Sequence, residues 1–259
     1  MFLRKISYLL IFILFAQVLN AQNKKSEDEN KDDRKLITGV SFDFGYQIPG
    51  GDMADRFGNN YNIGGTFWFK AKNNIVLGLQ GYYLFSNNLK KEAYSILDNL
   101  KDQNGNIVDQ FGNYSPVLLS ERGYYFGIKV GKVFILERKN ITSGILTTVS
   151  GGFLEHHILI ENELNNIPQI MGDYTKGYDK LVNGFALQEF IGYMFIGKRL
   201  LTNFVIGFEF TQAFTQSRRS YDFNLRRYDD KKRIDLLYGI RISWLIPFYK
   251  KEASGFYIY

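Results

Sequence analysis

Cysteine is absent from the 259 residues, which excludes disulfide staples, thiolate metal centres and cysteine nucleophiles. Histidine occurs twice, at His156 and His157, and proline four times. So little imidazole leaves almost no material for a metal site, and adjacent histidines in an extended chain point to opposite faces. No metal and no cofactor is expected. After the amino-terminal region no uninterrupted apolar stretch is long enough for a membrane helix. What the chain does have is aromatic side chains and glycine: 23 Phe, 18 Tyr and 25 Gly. Combined with a negative mean hydropathy, that suits strands with one apolar and one polar face.

The first residues have the layout of a secretory signal. Arg4 and Lys5 precede an apolar run over residues 6–19, and Asn20-Ala21-Gln22 offers a small residue for cleavage. The run is short for a bilayer span and a charged stretch follows it, so residues 1–21 are expected to be a cleaved signal peptide. Residues 22–35 carry both signs densely, among them KKSEDENKDDRK at 24–35. They hold too little apolar surface to offset ordering entropy and are expected to form a disordered linker. Asp28, Asp32 and Asp33 lack the spacing and glycine of a calcium-binding EF-hand loop.

From residue 36 the period is two, which means strands. Eight segments alternate: 38–46, 61–69, 75–85, 123–134, 141–155, 185–196, 204–214 and 234–248. In the first, Val40, Phe42, Phe44 and Tyr46 oppose Gly39, Ser41, Asp43 and Gly45. In the seventh, Phe204, Ile206, Phe208, Phe210 and Phe214 oppose Val205, Gly207, Glu209, Thr211 and Ala213. The fifth is the least regular, with Ile145, Val149 and Phe153 expected outward. A soluble sandwich or lipocalin-like barrel also alternates, but it points its bulky apolar residues inward. Here the bulky face is the aromatic one and the opposing face is small and polar. The segments are about ten residues long, the length a tilted strand needs to cross a bilayer.

The connections alternate too. Those over 70–74, 136–140 and 197–201 are short, whereas 86–121, 161–183 and 217–232 are long and 49–60 is intermediate. Short turns on one side and long loops on the other are the pattern of membrane barrels. The expected fold is all-β: an antiparallel up-and-down transmembrane barrel over residues 36–248, with a periplasmic tail at 249–259. Tyr46, Tyr61, Tyr83, Tyr124 and Tyr238 would form one aromatic girdle. Phe69, Phe134, Tyr193, Trp244 and Phe248 would form the other.

On these residues the chain resembles the small outer-membrane β-barrel proteins of Gram-negative bacteria, in the Bacteroidota style. The last segment carries Gly239-Ile-Arg-Ile-Ser-Trp244. Its Gly239, Ile242 and Trp244 look like the insertion signal read by barrel-assembly machinery, although residues 249–259 follow it. The resemblance implies an exported protein of the outer membrane in contact with its lipids.

Several groups are candidates for function. Asp43, Lys129, Glu209 and Arg241 are expected inside the barrel at similar depth, with Arg241 flanked by Glu209 and Asp43 and Lys129 across the lumen. A charge so buried is tolerated only when paired, so the four are expected to form a polar plug. The loop RRSYDFNLRRYDDKKR at 218–233 supplies a basic patch of Arg218, Arg219, Arg226, Arg227, Lys231 and Lys232. It suits phosphates of surface glycolipid, with internal neutralisation by Asp222, Asp229 and Asp230 as the alternative. A surface location argues against nucleic acid. Residues 171–180 are rich in Tyr, Gly and Asp and suit a contact loop. Leu89, Ala93, Leu97 and Leu100 have helical spacing, for a short helix that caps the barrel or docks a partner.

Some small barrels modify lipid A with a Ser/His pair, but Ser150 and His156 are roughly 20 Å apart along a strand, too far for a direct nucleophile–base pair. No catalytic residue is assigned. The expected role is therefore structural, or that of an interaction or accessory subunit in an envelope complex. A lipid-modifying enzyme and a narrow channel are the alternatives.

Overall fold

The computed structural model describes residues 36–136, 143–164, 166–197 and 202–248. The expected signal peptide (1–21), linker (22–35) and tail (249–259) lie outside these residues, as does most of two short connections, at 137–142 and 198–201. Eight strands follow in order: β1 (Ile37–Gly51), β2 (Asn60–Lys70), β3 (Ile75–Ser86), β4 (Leu118–Ile135), β5 (Gly144–Glu161), β6 (Val182–Phe195), β7 (Phe204–Ser217) and β8 (Lys232–Phe248). Each pairs antiparallel with the next, and β8 returns to β1 to close the barrel. The closing seam runs from Thr38↔Phe248 to Gly51↔Asp235. With both edges paired, the ring has no open strand.

Alternation sorts the side chains as the period of two requires. Phe42 is 61% exposed and Phe208 67%, whereas Ser41, Asp43 and Glu209 are at most 6% exposed. Val149 and Phe153 of the irregular β5 also point outward. Outer-face rings meet across strands: Tyr46 and Tyr61 of one expected girdle at 5.4 Å, and Trp244 of the other against Phe42 at 6.4 Å.

Two expectations need correction. The strands are longer than the alternation suggested, chiefly at the long-loop end, where β4 begins at Leu118 and β5 runs to Glu161. In β4 the consecutive residues Ser120 and Glu121 are both buried there, which breaks the period, whereas in β5 the alternation continues to Glu161. The inner face is also not uniformly small and polar. At the short-turn end Trp68, Val76, Val133, Leu146, Phe190 and Leu245 pack into an apolar plate. At the long-loop end Leu84, Leu154, Ile158 and Leu237 belong to a second apolar cluster, closed by Met53, Phe57, Leu89, Ala93, Ile96 and Leu97 from the loops. The helical spacing at 89–100 therefore marks a cap. It forms a short helix at Lys91–Tyr94 and a 3₁₀ turn at Ser95–Leu100 that bury Ala93, Ile96 and Leu97.

Inward glycines let neighbouring backbones come close. A Cβ on Gly184 would stand 1.8 Å from the Phe214 carbonyl oxygen of β7. Gly184→Val should therefore force the β6–β7 pairing apart and cost about 1–3 kcal/mol, the range for overpacking. Urea unfolding in detergent micelles measures it; an unchanged midpoint would contradict this packing.

Candidate functional site

Between the two apolar plates the lumen holds a polar layer built by alternation from all eight walls. Arg241 of β8 sits 3.2 Å from Glu209 Oε2, lies 4.6 Å over the Phe190 ring, and Arg241 Nη1 donates to Gln188 Oε1 at 3.4 Å. Glu209 also accepts from Gln47 Nε2 at 2.8 Å and from Asn62 Nδ2 at 3.2 Å. Gln188 extends the network by donating to Tyr82 Oη and Thr211 Oγ1, and it accepts from Gln80 Nε2 at 2.6 Å. Tyr125 Oη meets Ser150 Oγ at 2.7 Å. Network bonds of this kind satisfy donors and acceptors that the lumen removes from water.

All four expected plug residues lie in this layer, each at most 9% exposed. The register sets Gly45 opposite Arg241 and Asp43 opposite Ser243, so Asp43 is the diagonal neighbour of Arg241 across the β1–β8 seam. Asp43 accepts from Ser41 Oγ at 2.8 Å and Thr66 Oγ1 at 2.7 Å, and Lys129 Nζ donates to the same Thr66 hydroxyl at 3.3 Å. Thr66, Gln47, Asn62 and Gln188 complete the layer; alternation puts Asn62, Thr66 and Gln188 on the polar face, but an uncharged inward residue looks like any other polar alternation partner and none stands out. A void of about 20 Å³ remains beside Ser41, Trp68, Lys129 and Arg241, which is room for about one water molecule.

A second buried cluster lies under the loop cap. His156 Nε2 contacts Asp235 Oδ2 at 3.0 Å, Thr215 Oγ1 donates to the same carboxylate, and Arg56 Nη2 stands 3.9 Å from its other oxygen. Nearby Glu121 accepts from Asn60 Nδ2 at 3.1 Å. His156 is fully buried and meets the Phe57 ring edge-on at 5.4 Å. Ser150 is engaged elsewhere, with Tyr125 and Gln80. No sequence signal linked His156 with Asp235, because β5 and β8 face each other across the ring and are not paired neighbours.

The basic loop resolves into two populations. Arg219 forks onto Asp179 and Arg218 donates to Asn183, both outside the loop, and Lys231 Nζ lies 2.8 Å from Asp52. Asp222 pairs with Lys180 and Asp229 with Arg233 at 2.5 Å. Arg226, Arg227 and Lys232 are exposed and form no ion pair among the described residues. Neutralisation is thus partial and runs largely through neighbouring loops. Of the insertion-signal-like residues, Ile242 and Trp244 project from the outer face, and Gly239 lies against Tyr46 O and Gln47. In the loop at 171–180, Gly172–Gly177 forms a 3₁₀ turn and Gly177 packs against Phe223.

No protein-family model matches the chain, and no curated protein does. Among solved structures it is similar to Ail, the attachment invasion locus protein of Yersinia pestis, in two crystal structures, one of them in complex with the heparin analogue sucrose octasulfate. Identities are 8% and 9% and TM-scores 0.37 and 0.38, over 82% of this chain and 99% of that one. It is also similar to the N-terminal β-barrel domain of Pseudomonas aeruginosa OprF, at 10% identity and TM-score 0.34 over 81% of this chain and 99% of that one. For the outer membrane protein OprG from the same bacterium the values are 9% and 0.34, over 83% and 96%.

Removing Arg241 alone leaves Glu209 buried without its cation, so Arg241→Ala should cost about 3–5 kcal/mol, whereas the double change to Met at both positions should recover much of the loss. A double-mutant cycle from urea unfolding reads this; additive losses would refute the pairing. The clamp between Asp52 and the start of β8 should respond to acid. Partial burial pushes the Asp52 carboxyl up, but the Lys231 ammonium and the Ile234 amide outweigh it and hold it below the ordinary 3.8. Its contribution is then complete above that ordinary value and is lost as pH falls through the lower folded one. The protection of the Ile234 amide, its exchange rate relative to an unstructured amide at the same pH, should fall on acidification below about pH 4, and Asp52→Asn should abolish that fall.

Proposed function

We propose that this chain is an integral outer-membrane β-barrel of a Gram-negative cell, of the Bacteroidota type that its sequence resembles. Its lumen is plugged, and its role is structural or that of an interaction subunit acting through the long loops. The observation that carries the reading is the inverted surface. Bulky side chains such as Phe42, Ile63, Phe126, Ile128, Phe208 and Ile242, each 51–67% exposed, stand on the outside of a ring whose middle is polar. An apolar belt around the whole wall is far larger than water tolerates on a monomer, and hydrocarbon is the solvent that suits it. A closed ring is also the strand architecture that satisfies every backbone group there. The unequal connections favour placing the long loops at the cell surface. In this reading Gly239, Ile242 and Trp244 serve the assembly machinery during insertion.

The lumen argues for a plug over a channel, since a polar network drawn from all eight strands lies in it between two apolar clusters. The buried histidine argues against catalysis. A general base must reach a substrate-bearing nucleophile, and His156 is enclosed by Asp235 and Phe57. The exposed cations Arg226, Arg227 and Lys232 are the groups of the basic loop free to meet glycolipid phosphate, by charge-assisted hydrogen bonds. A docked envelope protein remains the second class of partner for the same loops.

Purified protein in planar bilayers should show no steady conductance, and a stable open level would overturn the plug. Reversing charge at Arg226, Arg227 and Lys232 together should weaken binding to vesicles bearing phosphorylated glycolipid at least tenfold and flatten its salt dependence. Unchanged binding would remove this loop from the function.

A further inference from the structure

Where β1, β2 and β3 reach the long-loop end, the outer wall carries three rings in one register row. Tyr46 pairs with Tyr61, and Tyr61 in turn with Phe85. Successive centroids stand 5.4 Å and 6.0 Å apart. All three rings point outward, since their chain neighbours Gln47, Asn62 and Leu84 are buried in the lumen. Above the row, the loops after β1 and β3 join. Gly58 N donates to Asn88 O at 2.7 Å, and Lys90 N to Arg56 O at 2.9 Å. Ser86 Oγ donates to Asn59 O at 2.7 Å and accepts from Asn88 N at 2.9 Å. Asn59 Nδ2 donates to Tyr46 Oη at 2.5 Å, which ties this junction to the rings below.

Between the rings and the junction lies an open cleft of about 350 Å³, within the size range of small-molecule sites. Its lining holds the three rings, three asparagines and Ser86, and no charged side chain. Tyr61, Asn87 and Asn88 are exposed, and the Tyr61 hydroxyl and the two side-chain amides make no hydrogen bond among the described residues. A primary amide offers a donor and an acceptor side by side, which suits adjacent hydroxyls on a sugar ring. An aromatic face suits the apolar C–H face of the same ring. Both kinds of group line one space here, and the junction holds them in place before any ligand arrives. A quaternary ammonium would use the rings but leave the amides unserved. A phosphate would find no cation in the lining.

We propose that this cleft binds a neutral pyranose ring, the sugar head of a glycolipid in the barrel's own outer leaflet. The floor of the cleft argues for a sugar on a lipid anchor. Phe44 stacks on Tyr61 at 6.0 Å and, with Ile63 on β2, continues the exposed apolar wall toward the membrane middle. A headgroup seated over Tyr46, Tyr61 and Phe85 can therefore lay its acyl chains against that wall. Aromatic belts mark the headgroup level of a bilayer, which is the level at which such sugars stand. The proposal rests on the membrane reading above, and it adds a neutral-sugar site to the phosphate contacts of the basic loop.

For the test, the full chain is inserted in phosphatidylcholine nanodiscs with or without glucosyl- or galactosyl-diacylglycerol. The side-chain amide signals of Asn87 and Asn88 are followed by NMR. Either glycolipid should shift them saturably, at a total concentration at least tenfold lower than the matching methyl glycoside needs in solution. Tyr61→Leu and Asn87→Ala should each weaken the response at least tenfold. Tyr124→Leu, in the same expected girdle but outside the cleft, should not. Asn87→Ala removes no bond within the fold, so it keeps the test open if Tyr61→Leu fails to insert. Equal binding of the free glycoside overturns the lipid source, and an equal response to dissolved phosphocholine overturns the sugar. Signals that neither glycolipid nor glycoside moves in an inserted barrel, or that Asn87→Ala leaves as responsive as before, overturn the site and leave the membrane reading standing. A chain that stays folded in buffer without discs overturns both.

Discussion

The pairing of β1 with β8 is the constraint on which the rest depends. Once the two ends of the sheet meet, from Thr38↔Phe248 to Gly51↔Asp235, there is one inside and one outside, and alternation must assign every strand residue to one of them. Slipping any pair by one residue would send Phe42, Phe44 and Tyr46 into the lumen and Asp43 and Ser41 to the wall. The interior of an eight-stranded ring has room only for the side chains that already fill it, so closure and register fix each other.

Closure also explains why the interior is layered. The narrow lumen cannot hold much water, so its charged groups must find partners among the side chains that alternation supplies. Arg241 finds Glu209 and Gln188, Asp43 finds the hydroxyls of Ser41 and Thr66, and Asp235 finds His156 and Thr215. The apolar plates at Trp68 and Leu154 seal this polar middle from both ends, which strengthens its electrostatics by keeping the local dielectric low. The loops above are tied down by ion pairs that cross from one loop to another, such as Lys180 with Asp222 and Arg219 with Asp179. They form a fixed upper surface on which Arg226, Arg227 and Lys232 are left to solvent.

The wall of this molecule was legible in the sequence because its period is local: two residues on a strand suffice to tell Phe208 from Glu209. Strand order and the parity of the loops followed from the lengths of the connections. The lumen was legible only in part. That Asp43, Lys129, Glu209 and Arg241 share a layer could be read from their distance along each strand. Which of them touch depended on the stagger between β1 and β8, which one-residue arithmetic along each strand does not give. The His156–Asp235 contact spans strands that are not neighbours in the ring, and the apolar plates appear in the sequence merely as Trp68, Leu154 or Leu245 on the face otherwise read as polar.

The two tryptophans allow a direct test of the account's central claim, that the outer wall faces lipid and the lumen is sealed from it. Trp244 is 43% exposed on the outer face, whereas Trp68 is 2% exposed inside the barrel. Variants retaining one tryptophan each, Trp68→Phe and Trp244→Phe, can be reconstituted in vesicles of brominated lipid and their fluorescence compared with that in unlabelled lipid. The account predicts strong quenching when Trp244 is the emitter and little when Trp68 is. Emission from Trp244 that brominated lipid leaves untouched, or quenching of both to the same extent, would contradict it.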